Sequence, residues 1–161
     1  MVATRVQPNV TTGQVWRQLT KCSFAVVGHV TPAGDPRSSG VMYVVADRRL
    51  FAVVAPDSWK ARHLAADGRV AVTVPVHRGG LLSLVAPIPP ATISFHGTAT
   101  VHPPGSAPDR LAPLIPVERR ASGSVVEIEP AGDFVLYGIG VPLPRMREPA
   151  ASRARVPVAG T

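Results

Sequence analysis

The chain never runs far without an interruption. Its apolar stretches are short, rich in valine and alanine, and closed off by proline, glycine or a cluster of charges. Eighteen prolines and fourteen glycines among 161 residues supply the breaks. Proline removes a backbone donor and glycine loosens the chain, so neither suits the interior of a long helix. Short runs between such breaks have the size of strands, so an assembly of strands and loops is expected rather than a helix bundle.

Read in order, Thr11 or Thr12 can cap a short helix through Leu19, with Val15, Trp16 and Leu19 as its apolar face. SFAVVGHV at 23–30 reads as a strand and TPAGDP at 31–36 as a turn. GVMYVVA at 40–46 starts a second strand, and DRR at 47–49 is short enough for a tight hairpin into LFAVVA at 50–55. PDSWKARHL at 56–64 then changes the pattern. Asp57 or Ser58 can cap a helix over 58–66, with Ala61, Leu64 and Ala65 facing a core, and DGR at 67–69 ends it.

VAVTVPV at 70–76 is the next strand, HRGG at 77–80 a loop, and the apolar LLSLVAPI after it can continue a hairpin. TISFHGTATV at 92–101 alternates as a strand does. PPGSAPDRLAPLIP at 103–116 reads as a proline-interrupted connection with one helical turn, followed by Arg119 and Arg120 in a loop. SVVEIEP at 124–130 and FVLYGIGV at 134–141 read as a last hairpin joined by AGD. Six or more strands, one helix between the third and fourth, and several hairpins favour a small antiparallel barrel over alternating α/β architecture. The expectation is a mainly β chain with short helices. One domain covers 1–141, and a Pro/Arg/Ala-rich tail over 142–161 crosses a partner subunit or stands loose.

Lys plus Arg exceeds Asp plus Glu by seven, but the excess is scattered and aromatics make up only 5%, so no nucleic-acid partner is expected. Cys22 is the sole cysteine, which excludes an internal disulfide and a cysteine metal cluster. No apolar run approaches the roughly twenty residues that span a membrane. MVATRVQPNVTT lacks the apolar core of an export signal, so no membrane partner and a cytoplasmic location are expected. Of the five histidines, His29 and His96 alternate with apolar residues and are expected to be packed or pocket-lining. Neither of these two has a close His, Asp or Glu partner at metal-site spacing, while His63 falls on the helix, His77 at a strand end and His102 before two prolines.

Lys60 and Arg62 sit close to the start of a helix, where free amides and the helix dipole favour anions. Either the helix is misread or the place holds an anion. Ser58 and its neighbouring amides can donate hydrogen bonds, Lys60 can add charge, and Arg37, Ser38 and Ser39 are further donors a barrel could bring near. Phosphate suits that combination. The competing reading is an ordinary surface pair of Asp57 with Lys60 or Arg62. Trp16 and Trp59 read as packing anchors, Trp59 being close to the proposed anion.

FAVVGHVTPAGDPRSSGVMYVVADRRLFAVVAPDSWKARHLAADGRVAVTV, residues 24–74, resembles the pyridoxamine 5'-phosphate oxidase-like, FMN-binding split-barrel superfamily, in its small bacterial branch. The resemblance rests on the order of features: a first strand, TPAGDP, a strand opening with small hydroxyl residues, a hairpin, S-x-K-A-x-x-L and RVAVTV. It implies a homodimer of split β-barrels with cofactor at the subunit interface. FMN is the implied cofactor, with the deazaflavin F420 or haem as the alternatives found in related branches. Ser58 and Lys60 match positions that hold the flavin phosphate. Ser39, Gly40, Val41 and Met42 match a strand lining phosphate, ribityl chain and ring, and Val54, Ala55 and Pro56 match the end of the next lining strand. Arg37, Ser38 and Arg62 are secondary additions.

Departures from the pattern also carry information. True pyridoxamine phosphate oxidases have an arginine where this chain has Ser39 and a lysine where it has Val44. Their substrate-binding Arg-x-His has no counterpart, since Arg145-Met146-Arg147 lacks the histidine. The implied member is therefore not a true pyridoxamine phosphate oxidase. Because flavin-type cofactors carry hydride chemistry themselves, no catalytic side chain has to be assigned. The expected activity is a flavin- or deazaflavin-dependent oxidoreductase acting on a small organic molecule. The alternatives are a flavin- or haem-binding protein without turnover, and a degenerate barrel with an interaction role.

Overall fold

The computed structural model describes residues 10–77, 91–137 and 154–157. The first helix, α1 (Thr12–Lys21), starts with a capping box. The Gln14 amide donates to Thr11 Oγ1 at 3.2 Å, and the Thr11 amide donates to Gln14 Oε1 at 2.8 Å. Val15, Trp16 and Leu19 are buried, as their spacing requires.

The strands follow as β1 (Phe24–Val30), β2 (Pro36–Ala46), β3 (Arg49–Val54), β4 (Arg69–Val76), β5 (Ala91–His102), β6 (Ser124–Tyr137) and β7 (Ala154–Pro157). Helix α2 (Trp59–Ala66) lies between β3 and β4, and α3 (Val117–Ser122) precedes β6. All pairings are antiparallel, in the order β3-β2-β1-β4-β5-β6-β7. A further β3–β6 pairing closes the first six of these strands into a barrel, and β7 extends the sheet from the far half of β6.

Alternation along the strands fills the barrel. Ala25, Val27, Val70, Val72, Val74, Ile93, Phe95, Val126 and Ile128 all point inward and are buried. α1 closes one side. The Trp16 ring meets Phe134 edge-on at 5.6 Å, and Phe134 meets Phe95 in the same way at 5.3 Å. The buried Tyr43 hydroxyl donates to the Leu19 carbonyl at 2.8 Å, tying α1 to β2, and burial pushes its phenol pKa up. On the barrel exterior, Phe51, Leu111, Ile115 and Val125 form a smaller cluster under the 103–116 connection.

Four expectations change. β2 begins at Pro36 rather than Gly40, because it pairs with β1 from Val30↔Pro36 onward. Ala65 faces solvent, while Ala61 and Leu64 alone anchor α2. Arg119 and Arg120 belong to α3, a helix with no buried residue and so no apolar periodicity to announce it. The expected last hairpin is a single strand, β6. Its register against β5 slips between Ser94↔Val135 and His96↔Ala131. Gly132, with φ 73°, lets the chain jog there instead of reversing, and β5 is long enough to pair with both halves.

The expected tight hairpin at 47–49 is present, with Asp47 and Arg48 at φ 48° and 56°. The single helical turn in the 103–116 connection is a 3-10 turn at Asp109–Leu111. Residues 78–80 of the HRGG loop, the LLSLVAPI stretch, residues 138–141 and Arg145-Met146-Arg147 lie outside the described residues. Four residues of the tail, as β7, pair with β6 of their own chain. Among the described residues, no helix is long and apolar enough to cross a membrane.

Candidate functional site

The start of α2 is built by Ser58. Its backbone is extended, its Oγ accepts from the Ala61 amide at 3.2 Å, and its carbonyl accepts from the Arg62 amide at 3.2 Å. That leaves the Trp59 and Lys60 amides without an intrahelical acceptor, and the Ser58 O–H free to donate. Lys60 Nζ reaches across to β2 and donates to the Gly40 carbonyl at 3.2 Å. Among the described residues no carboxylate pairs with Lys60, Arg62 or Arg37, and Asp57 joins no ion pair. The surface-pair reading of this helix start therefore fails. Lys60 keeps its charge un-neutralised at the end of the helix that favours anions.

Two strand segments flank this helix start. The β2–β3 ladder runs from Ala46↔Arg49 to Tyr43↔Ala52, so residues 39–42 of β2 are paired with β1 alone. Val54 ends β3, and Ala55 and Pro56 lead into α2. The nine expected residues are thus split among β2, the end of β3 and the helix start. They are not equivalent. Val41 packs against the core and Val54 is buried within it, whereas Ala55 and Pro56 are exposed. Gly40 lies beneath the Phe24 ring, where a Cβ would come within 2.7 Å, and Met42 is 62% exposed. Since side chains alternate, Ser39 and Val41 turn toward the barrel while Gly40 and Met42 turn outward. One ligand cannot use all four side chains, and backbone groups must supply part of any contact.

Arg37 stands opposite His29, and Ser38 opposite Gly28, so these two donors point to opposite faces of the sheet. Ser39 Oγ is buried with no hydrogen-bond partner. His29 is 4% exposed, and its Nδ1 is likewise buried without a partner. The buried Ser39 hydroxyl, next to Gly40, together with a helix start whose first amides are free and a lysine without a carboxylate partner, fits a phosphate group.

Sequence reading missed a cluster here. His29 Nε2 lies 3.3 Å from His63 Nδ1, and the His29 ring stacks on Trp59 at 5.4 Å with planes 28° apart. Trp59 and His63 are also in contact, at 5.6 Å between ring centres. Trp59 thus packs against two histidine rings of its own chain, with 42% of its surface exposed. The His29 pKa is lowered, first by burial, then by His63, with smaller repulsion from Lys60 and Arg37 and an opposing pull from the Val27 backbone. His29 and His63 are 34 residues apart, so spacing could not reveal the pair. The inward parity of His29 and the i, i+4 relation of Trp59 to His63 were the available signals.

The other histidines have separate settings. His96 is exposed on the outer face against Gly132, contrary to the packed or pocket-lining role expected for it. His102 bonds Glu127 at 2.7 Å, where Arg49 and Arg110 also converge. No three potential metal ligands cluster among the described residues. A hollow of about 320 Å³ lies between α1 and the β4/β5 end, lined by Gln14, Gln18, Val76, His77 and Ile93. Among the described residues none that lines it carries a permanent charge, which is why the cationic α2 start is the stronger candidate.

The family model for pyridoxamine 5'-phosphate oxidase matches residues 11–137. Several solved structures share the fold at low identity. A heme storage protein from Vibrio cholerae is 12% identical with a TM-score of 0.59, over 79% of this chain and 94% of that one. A putative pyridoxamine 5'-phosphate oxidase from Listeria innocua is 15% identical with a TM-score of 0.55, over 73% and 91%. An F420 reductase is 16% identical with a TM-score of 0.53, over 73% and 93%. No curated protein matches the sequence.

Proposed function

The chain belongs to the pyridoxamine 5'-phosphate oxidase family of split barrels, and from that premise we propose that it is a flavin- or deazaflavin-dependent oxidoreductase acting on a small organic molecule. The observation that carries the reading is Lys60, unpaired by any carboxylate among the described residues and placed at an α2 start whose first amides lack acceptors. Ser58, the Trp59 and Lys60 amides and Lys60 Nζ would hold the cofactor phosphate, with Ser39 Oγ as a further donor. Backbone groups of residues 39–42 and 54–56 would orient the ring. FMN or F420 supplies the hydride chemistry when bound, and the chain supplies position and a substrate pocket.

The proposal includes a homodimer with the cofactor at the subunit interface. Phe24 and Met42 are cross-strand partners on the outer face of β1 and β2, next to Val26. They are 42%, 62% and 36% exposed, an apolar surface that a second copy of the chain would cover. A second reading, haem binding without turnover, draws support from the shared fold with the heme storage protein. One experiment separates the readings. The protein is purified without added ligand, its absorption spectrum recorded, and any extracted cofactor identified by mass spectrometry, followed by titration with FMN, F420 and haem. A flavin or deazaflavin bound at one per subunit is expected. Haem alone would move the assignment to the second reading, and binding of none of the three would overturn both.

A further inference from the structure

We propose that His63, oriented by the buried His29, is part of the anion site and takes up a proton from solvent when a phosphate-bearing ligand binds. This rests on the phosphate reading of α2 and assigns a proton-linked residue to it. The pair is arranged to take one proton without moving. When His63 Nδ1–H donates to His29 Nε2, across the 3.3 Å contact, His63 Nε2 keeps a free lone pair. Protonation there makes His63 an imidazolium that still donates to His29 through Nδ1. The new N–H is added on the partly exposed ring, and His29 stays neutral in the interior.

Geometry directs that charge toward the ligand. His63 lies one turn after Trp59 and three residues after Lys60, on the same helical face. Helical side chains lean toward the N-terminus, so the His63 ring is carried back toward the free amides of the first turn. The charged groups around the pair come from each neighbouring element. Lys60 and Arg62 share α2, Asp57 precedes it, His29 lies on β1 and Arg37 on β2. On β5, His96 faces outward against Gly132 and His102 is bonded to Glu127, so neither meets the pair. At the C-terminal end of α2, Asp67 is held by Arg69 at 2.6 Å.

Among the described residues no carboxylate forms an ion pair with His63. Lys60 and Arg37 already repel charge at His29. An arriving phosphate reverses that balance, because two negative charges outweigh the repulsion and favour a third cation beside them. Binding and protonation then assist one another as linked equilibria.

The test measures heat of FMN binding in buffers of different ionisation enthalpy, between pH 6.5 and 8, with the wild type and His63→Asn. Asparagine keeps an N–H for His29 but cannot titrate. The wild type is expected to take up protons beyond those taken by the variant. Its association constant relative to that of the variant should rise as pH falls, by at most about tenfold per unit for one proton. Taking the ratio cancels the titration of the phosphate itself. Inorganic phosphate, followed through Trp59 fluorescence and the same proton count, serves as a flavin-free probe. FMN binding with proton uptake unchanged in His63→Asn overturns the proposal and leaves the cofactor reading intact. Phosphate binding with His63-dependent uptake, but no FMN binding, overturns the flavin and retains the proton-linked anion site. Failure of both ligands to bind overturns both.

Discussion

Replacing Lys60 by alanine should weaken FMN binding by about ten- to a hundredfold while leaving the fold in place. The magnitude follows from what the side chain does. In the free protein Lys60 Nζ donates to the Gly40 carbonyl and lies 5.9 Å from the centre of the Trp59 ring, at a solvent-accessible position where water can replace these contacts. Their loss should change stability by no more than about 1 kcal/mol. A small gain is even allowed, because a cation leaves the first turn of α2. In the complex the same ammonium faces a dianion, and a charge-assisted hydrogen bond contributes about 1.5–3 kcal/mol. At roughly 1.4 kcal/mol per tenfold, that gives the stated range. Titration at fixed ionic strength, following flavin fluorescence, measures it. Arg62→Ala is the matched control, since Arg62 is exposed on the same helix and carries the same charge. Its effect should stay below about threefold, as expected of a screened surface charge. Unchanged FMN affinity in Lys60→Ala, or an equal loss in Arg62→Ala, would refute the reasoning.

Three further outcomes test the fold and its ionisation. Gly132→Ala should cost about 1–2 kcal/mol for a non-glycine residue at left-handed φ. The exposed His96 ring, 2.6 Å from the new Cβ, can swing aside. A urea denaturation midpoint equal to the parent's would show that β6 does not jog there. Phe134→Ala removes a fully buried ring that meets both Trp16 and Phe95, and should cost about 3–5 kcal/mol with a shift in Trp16 emission. A loss under about 1.5 kcal/mol would contradict this packing. Because the folded state lowers the pKa of His29 from its ordinary 6.5, the unfolded chain binds the proton more readily. The resulting contribution is complete above about pH 6.5 and falls as pH drops from there toward the folded pKa. The stability of the wild type relative to His29→Gln should therefore decline on acidification, by no more than about 1.4 kcal/mol per pH unit. Parallel pH profiles would count against it.

What the sequence disclosed was local. The Thr11 cap, the inward parity of β1 and β4, the hairpin at 47–48 and the Ser58 cap each depend on residues close in sequence, and each was readable. The AGD stretch was not, because glycine permits either a reversal or a jog, and only the length of β5 decides between them. α3 buries nothing and so has no pattern to detect. At the candidate site, Lys60 stood out through its position on the wrong end of a helix. Its contact with Gly40 and the His29–His63 pair arise from barrel closure, which brings distant strands to α2. Alternation further divides the strand residues named from resemblance, with Val41 and Val54 serving the core and Met42 the surface.

The central claim is that the α2 start holds a cofactor's phosphate. Calorimetric titration of the wild-type protein with FMN and with riboflavin, under one salt and pH condition, tests it most directly, because the two ligands differ only in that group. FMN is expected to bind at one per subunit, at least tenfold more tightly than riboflavin, consistent with one or more charge-assisted hydrogen bonds to phosphate. Equal affinities would contradict the claim.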